Sequence, residues 1–145
     1  MRGGLWAILG GAHPAIARWR ARPHGWGPCQ AHEKECSVTR SVIGIRSRLD
    51  TGCVIAQTLV MGADYYESPS QREDHVEQGS IPLGVGAHTT IHKAIIDKNA
   101  RIGRHVRIVN AAHVQEADQE ALGFVIRNGI VVVLKNATIP DEMVI

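Results

Sequence analysis

The sequence predicts an all-β fold, a left-handed parallel β-helix of the hexapeptide-repeat type with loop and short-helix insertions. The strongest indication is the stretch from Leu83 to Val109. Its large aliphatic residues follow one another at steps of six, five, six and six: Val85, Ile91, Ile96, Ile102 and Ile108. An α-helix repeats at about 3.6 residues and a strand at about 2, so neither explains this spacing. A step of six is typical of short strands joined by corners, three of which make one coil.

The same step occurs on both sides of this stretch. Further inward positions are predicted at Ile43, Leu49, Ile55 and Met61, and at Val133, Ile139 and Ile145. A second inward set is predicted four residues after these positions: Ser47, Cys53, Leu59, Thr89, Ile95, Ala100, Val106, Ala137 and Met143. Three hexads per coil give roughly four coils. Cys53 then lies inside the ladder as a small apolar residue rather than a reactive thiol.

Composition agrees with this fold and argues against several functions. Aromatic residues make up 4% of the chain, and the inside of a narrow β-helix has little room for rings. The net charge of +2 gives no indication of nucleic-acid binding. Three scattered cysteines are too few for a disulfide framework or a zinc site. No apolar run is long enough to span a membrane.

Residues 1–36 differ from the rest of the chain. They contain all three tryptophans and show no period of 2, 3.6 or 6. Five basic residues against two acidic ones make this segment positive, as in a transit peptide, but it contains no serine. We therefore interpret residues 1–36 as an unrelated, disordered leader and residues 37–145 as the β-helix domain.

Two interruptions of the period are predicted as excursions from the coils, near residues 62–80 and 110–123. In the first, Ser68, Pro69 and Gln71 have the pattern of a helix N-terminus with a capping box. Gly79 is a typical helix stop, so a short surface helix is predicted at about 69–78. The second excursion is acidic and is predicted to be turn-rich, with a helical turn at most.

Six sequence motifs occur in one order and at one spacing: RSRLDTG (46–52), LVMGADYYES (59–68), PLGVG (82–86), AIIDKNARIG (94–103), VQEAD (114–118) and NGIVVVLKNATI (128–139). Together they closely resemble the C-terminal domain of plant glucose-1-phosphate adenylyltransferase (ADP-glucose pyrophosphorylase). The RSRLD and LKNATI wording is more similar to the large, regulatory subunit. The resemblance covers about residues 36–145.

The resemblance implies a role in starch biosynthesis, in an enzyme that makes ADP-glucose and pyrophosphate from ATP and glucose 1-phosphate. It implies that ATP and Mg²⁺ belong to a separate catalytic domain, so no cofactor is expected in this chain. The Gly-rich, Arg-bearing phosphate loop of that domain has no counterpart here, because Gly10 and Gly11 are followed by AHPAIARWR. Whether the chain itself is an enzyme is left open, and we expect it to be inactive alone.

The resemblance also implies partners and a location. The partners are the small and large subunits of a heterotetramer, with 3-phosphoglycerate and phosphate as effectors and no nucleic acid or membrane. The location is a plastid, with a cytosolic form as the alternative. Lys98 and Lys135 match two lysines with which the family binds 3-phosphoglycerate. An ammonium group is a compact charge suited to phosphate; the alternative is that both are ordinary solvated corner lysines.

Other residues have two interpretations each. Arg46 and Arg48 flank a corner and are either solvated or part of an anion site or interface. Tyr65 and Tyr66 either pack against their own coil or mark an interface. Asp97 is predicted to be a corner residue that hydrogen-bonds its own backbone.

Two other functions compete with the resemblance. The first is a hexapeptide-repeat acyltransferase, which has the same fold and uses a histidine as general base; His88, His92 or His113 are the candidates. His88 and His92 are four residues apart, but a β-coil does not bring such a pair together as a helix does, so no metal site is predicted. The second is a truncated gene product without function.

Overall fold

The computed structural model describes residues 36–145 in full, together with the backbone of three short strands before them. The strands are β1 (Ala7–Ile8), β2 (Ala17–Trp19), β3 (Cys29–Ala31), β4 (Cys36–Thr39), β5 (Val42–Ile43), β6 (Ser47–Leu49), β7 (Val54–Ala56), β8 (Leu59–Val60), β9 (Gly84–Val85), β10 (Thr90–His92), β11 (Ala94–Ile96), β12 (Arg101–Ile102), β13 (Arg107–Ile108), β14 (Glu116–Gln119), β15 (Phe124–Arg127), β16 (Ile130–Val133) and β17 (Thr138–Ile139). The helix α1 spans Pro69–Glu77, and a 3-10 turn spans Glu120–Leu122.

Successive strands belong to three different sheets, so the chain winds around a central axis. Sheet A has the strand order β1-β5-β8-β11-β16-β15-β14, sheet B β13-β10-β7-β4-β2, and sheet C β17-β12-β9-β6-β3. The stacked strands from β4 to β13 pair in parallel with the coil above and below. This arrangement is a left-handed parallel β-helix, and the predicted fold class is confirmed.

The predicted aliphatic ladder fills the inside of the coils. Sheet B stacks Val38, Ile55, Ile91 and Ile108, sheet C stacks Leu49, Val85, Ile102 and Ile139, and sheet A stacks Ile43, Val60, Ile96 and Val133. All of these are buried except Ile43, which is partly buried against the core. Among the residues whose side chains the structure describes, each column has four rungs, in agreement with the predicted number of coils.

Three predicted inward positions are wrong. Met61 is 37% exposed, and Leu59 and Ile95 are only half-buried on the outer side of sheet A. The reason is a corner that is one residue shorter than the others. Val60 pairs with Ile96, so the step from Ile55 to Val60 is five residues, as is the step from Ile91 to Ile96. At this corner the second inward places belong to Thr58 and Ala94 instead.

The first excursion contains the predicted helix. The side chain of Ser68 accepts a hydrogen bond from the Gln71 backbone N–H, and the Gln71 side chain accepts one from the Ser68 backbone. Gly79, just after the helix, has a φ of 70°, which suits a glycine stop. At nine residues, α1 is far too short to cross a bilayer, and no longer apolar helix occurs in the described residues.

The second excursion contains regular strands where mainly turns were predicted. β14 and β15 form an antiparallel ladder, and β15 continues antiparallel into β16. The hairpin between β15 and β16 turns at Asn128 and Gly129, whose φ angles are 50° and 72°. Two consecutive positive φ angles are typical of a type I′ turn, for which Asn-Gly is the preferred sequence. The motif was present in the sequence but was not interpreted as a hairpin.

The predicted leader, residues 1–36, lies outside the described residues apart from β1, β2, β3 and Cys36. The backbone of β1 pairs with β5 and that of β2 with β4, both antiparallel, whereas β3 pairs in parallel with β6. The interpretation of residues 1–36 as an unrelated, disordered leader stays a prediction.

The capping box makes α1 sensitive to a single substitution, because no residue of this helix is buried. We expect Ser68→Ala to cost the helix about 1 kcal/mol and to fray its first turns. Amide hydrogen exchange within α1 should accelerate while the urea midpoint of the whole domain stays unchanged. Ser80→Ala is the matched control, because Ser80 is an exposed serine beyond the C-terminus of the helix and leaves the cap in place. Unchanged exchange in Ser68→Ala would show that the cap does not hold the helix.

Candidate anion-binding site

Lys98 and Lys135 occupy the same corner on successive coils. Each is followed by an asparagine, Asn99 or Asn136, with a φ of 59°. This left-handed conformation turns the chain between sheet A and sheet C, and asparagine tolerates it better than most residues. The Asn136 backbone N–H donates a hydrogen bond to the Lys98 carbonyl oxygen at 3.0 Å. The two lysines are therefore neighbours along the helix axis.

Both lysine side chains point outward, as predicted. Ile96 and Val133, two residues before each lysine, occupy inward places with 2% and 0% exposure. The Lys98 and Lys135 side chains are 44% and 53% exposed. The Asp97 carboxylate accepts a hydrogen bond from the Lys98 backbone N–H at 2.7 Å, so the predicted corner role of Asp97 is confirmed.

The two ammonium groups converge on one carboxylate, that of Asp64. Lys98 Nζ lies 3.0 Å from Asp64 Oδ1, and Lys135 Nζ lies 3.5 Å from Asp64 Oδ2. Asp64 was not found from the sequence. It belongs to the first excursion, where the repeat no longer indicates which residues meet.

A buried asparagine holds Asp64 in this position. Asn99 is 7% exposed, and its side-chain oxygen accepts a hydrogen bond from the Asp64 backbone N–H at 2.8 Å. Its amide nitrogen lies 3.0 Å from Asp64 Oδ2 and 3.1 Å from Asn136 Oδ1, a donor shared between the two acceptors. Asn99 thus fixes the start of the excursion to the same corner that carries the lysines.

The charges of this cluster partly cancel. The hydrogen bond from Lys98, then that from Asn99, and the positive charges of both lysines hold the pKa of Asp64 below its usual range. Asp64 is therefore ionised at neutral pH. An incoming anion would meet two ammonium groups that already share one carboxylate, so the corner alone is a weak anion site.

The remaining candidates have different surroundings. His88 stacks on His105 of the next coil, with ring centroids 5.3 Å apart, rather than pairing with His92. Among the described residues, no three His, Cys, Asp or Glu side chains are grouped so that they could hold a metal ion. Tyr65 and Tyr66 are 48% and 61% exposed, so neither is buried against its own coil.

The thiol of Cys53 lies inside the ladder with 0% exposure, as predicted. A hydrogen bond with Cys36 of the neighbouring coil and burial raise the pKa of the Cys53 thiol. The same hydrogen bond lowers the pKa of the Cys36 thiol. Cys53 is thus a neutral packing residue rather than a reactive thiol.

Parallel strands in three sheets around an aliphatic ladder define the class of this protein, a left-handed parallel β-helix. The family model of the GLGC left-handed parallel beta-helix domain matches residues 29–144, most of the chain. The chain belongs to this family, the C-terminal region of glucose-1-phosphate adenylyltransferase. The family predicted from the sequence motifs is thereby confirmed at this level.

Proposed function

We propose that this chain is the regulatory and assembly domain of a plant glucose-1-phosphate adenylyltransferase of the large-subunit type. The whole enzyme would make ADP-glucose and pyrophosphate from ATP and glucose 1-phosphate for starch biosynthesis in a plastid. The sequences of the RSRLD (46–50) and LKNATI (134–139) motifs support the large-subunit assignment. The family match supports the position of the domain within the enzyme.

The regulatory role depends on one observation, the convergence of Lys98 and Lys135 beside Asp64. Two ammonium groups from successive coils can contact one phosphate group, whether it belongs to 3-phosphoglycerate or is inorganic phosphate. Their exposure leaves the ligand open on one side. We propose that cationic groups of the catalytic domain close that side and couple anion binding to activity.

Catalysis belongs to a different domain in this proposal. Transfer of a nucleotidyl group needs a cradle for the triphosphate and a metal ion that balances its charge. The 145 residues contain no Gly-rich, Arg-bearing phosphate loop that could form such a cradle. ATP and Mg²⁺ would therefore bind to the catalytic domain, and this chain would contribute no cofactor of its own.

Assembly through the β-helix is supported by the outer side of sheet A. Five aliphatic residues pair in one row across neighbouring strands: Val42, Leu59, Ile95, Val132 and Val125. All five are only partly buried, although the outer side of a solvated sheet is usually polar. Because the family is oligomeric, we propose that a neighbouring subunit of the heterotetramer covers this row.

The proposed activator role can be tested in an enzyme in which this chain is joined to a catalytic domain and combined with the small subunit. Lys98→Ala and Lys135→Ala are each expected to raise the 3-phosphoglycerate concentration needed for half-maximal activation about fivefold, a typical loss for one exposed charge. Lys93→Ala is the matched control, because Lys93 is an exposed corner lysine with a φ of 53° at a different corner.

Size-exclusion chromatography should show that all three variants still form the tetramer. The chain without a catalytic domain is the negative control for ADP-glucose formation. Activation that is unchanged in both Lys98→Ala and Lys135→Ala, with the tetramer intact, would remove the proposed role of these lysines. If Lys93→Ala weakened activation by 3-phosphoglycerate equally, the effect would be due to the net charge of the chain rather than to this site.

A further inference from the structure

A second basic feature lies beside the lysine corner, in a shallow, open cleft. The cleft lies between the first coils and α1. The side chains that matter here are Arg46, Arg48 and Arg72 together with Tyr65, Tyr66 and Glu67. Arg46 immediately precedes β6, Arg48 lies within β6, and Arg72 comes from the first half of α1. Arg46 and Arg48 were candidates in the sequence analysis, whereas Arg72 of the helix was not.

The carboxylate in the cleft, that of Glu67, already has partners within the chain. Glu67 is 5% exposed, and its Oε1 lies 2.6 Å from Arg101 Nη2 and 3.5 Å from His75 Nε2. Its Oε2 accepts a hydrogen bond from the Leu83 backbone N–H at 2.9 Å. Glu67 therefore pairs directly with Arg101 at the edge of the cleft, while its charge acts on Arg48 without forming an ion pair with it.

Positive charge remains in excess. Asp50 is the other carboxylate that pairs with one of these arginines, 3.6 Å from Arg48 Nη2. The four guanidinium groups of Arg46, Arg48, Arg72 and Arg101 thus have two paired carboxylates among them, an excess of two positive charges. A third carboxylate, that of Asp97, lines the adjoining cleft with Arg46 and Arg48, on the side of the lysine corner. The Nε atom of Arg48 is also buried without a hydrogen-bond acceptor among the described residues. Burial and the charge of Arg72 lower the pKa of Arg48, which indicates the same shortage of negative charge.

Two of the three arginines, Arg46 and Arg48, are held in place before any ligand arrives. The Arg46 guanidinium lies over the ring of Tyr66, 5.4 Å from its centroid. Stacking on an aromatic face fixes the plane of a guanidinium and leaves its N–H edges free for an acceptor. Arg48 is held by burial, with 23% of its side chain exposed. Preorganised donors lose less conformational entropy when they bind.

We propose that this cleft binds the phosphate group of a small phosphomonoester through Arg46, Arg48 and Arg72, as an anion site separate from the lysine corner. A phosphomonoester carries a charge of about −1.5 to −2 at neutral pH, which matches the excess of two positive charges. The arginine fork fits phosphate oxygens in pairs. Tyr65 and Tyr66 form the wall against which the organic part of the ester packs.

The test uses the full chain with ¹⁵N-labelled arginine and follows the Nε–Hε signals by NMR. Inorganic phosphate and glycerol phosphate are titrated separately at constant ionic strength, with chloride as the reference anion. Saturable shifts are expected for Arg46, Arg48 and Arg72 with both probes, and tighter binding with the ester. Arg46→Gln and Arg72→Gln are each expected to weaken binding about fivefold or more. Arg46→Lys keeps the positive charge but not the two parallel N–H donors of the guanidinium group. It should therefore weaken binding less than Arg46→Gln does.

Arg107→Gln is the matched control, because Arg107 is an exposed arginine on sheet B, away from the cleft. Shifts that are linear in phosphate, or equal to those with chloride, would overturn the proposal, as would an equal loss in Arg107→Gln. Lys98→Ala and Lys135→Ala separate this proposal from the activator role. They should leave the arginine shifts unchanged, and loss of the shifts in these variants would show that the two sites are one.

Discussion

Replacing Ile91 with alanine is expected to destabilise the β-helix by about 2–5 kcal/mol, the usual cost of truncating a buried isoleucine. Ile91 is 0% exposed and lies in the column of sheet B between Ile55 and Ile108. The parallel ladder fixes the coils above and below, so the walls around the missing atoms cannot easily collapse. The measurement is urea unfolding of the full chain. A lower urea midpoint with an unchanged m-value gives the loss in the free energy of unfolding.

Ile95→Ala is the matched control, since it removes the same atoms from the same coil. Ile95 is only half-buried on the outer side of sheet A, so its loss should be about 1 kcal/mol or less. Equal losses for Ile91→Ala and Ile95→Ala would contradict the register of the ladder. A larger loss for Ile95→Ala would mean that the outer row of sheet A is covered within the chain itself.

The contrast between Ile91 and Ile95 also shows what could be predicted from the sequence. The six-residue step identified the fold and most of the ladder, because the period follows directly from strands and corners of fixed length. It failed where a corner is one residue shorter. Between Ile55 and Val60 the step is five, and counting six placed Met61 inside although it is 37% exposed.

The hairpin at Asn128 and Gly129 was missed for a different reason. Its strands β15 and β16 alternate with a period of two, and the predicted period of six gave no reason to expect an antiparallel pair. The Asn-Gly dipeptide between aliphatic runs was a sufficient local signal, because both residues must adopt a positive φ. Local turn chemistry and the long-range period therefore have to be considered separately.

In the candidate site, too, some residues could be predicted from the repeat and others could not. Lys98 and Lys135 lie within the repeat, so their shared corner and outward direction followed from the ladder. Asp64 and Arg72 lie in the first excursion, which returns to the coils through specific contacts such as those of Asn99. No period encodes such contacts, so the carboxylate between the lysines and the third arginine of the cleft required the structure.

Asp64→Asn is expected to increase the affinity of this chain for 3-phosphoglycerate roughly tenfold, because it removes a negative charge within contact distance of the incoming phosphate. At present the carboxylate occupies the space between the two ammonium groups, 3.0 Å and 3.5 Å from them. Its pKa is lowered by Lys98 and Asn99, so mild acid does not neutralise it. Asparagine has nearly the same size and can still accept a hydrogen bond from Lys98. The measurement is an NMR titration of the full chain with 3-phosphoglycerate at constant ionic strength.

The matched control is Asp118→Asn, which changes the net charge of the chain by the same amount. Asp118 is an exposed carboxylate that pairs with Arg127 on the antiparallel strands, away from the lysine corner. An equal gain in Asp118→Asn would attribute the effect to net charge rather than to the site. A loss of affinity in Asp64→Asn would mean that Asp64 matters more for positioning the lysines than for neutralising them. In that case Lys98 and Lys135 would bind phosphate only while the carboxylate holds them together.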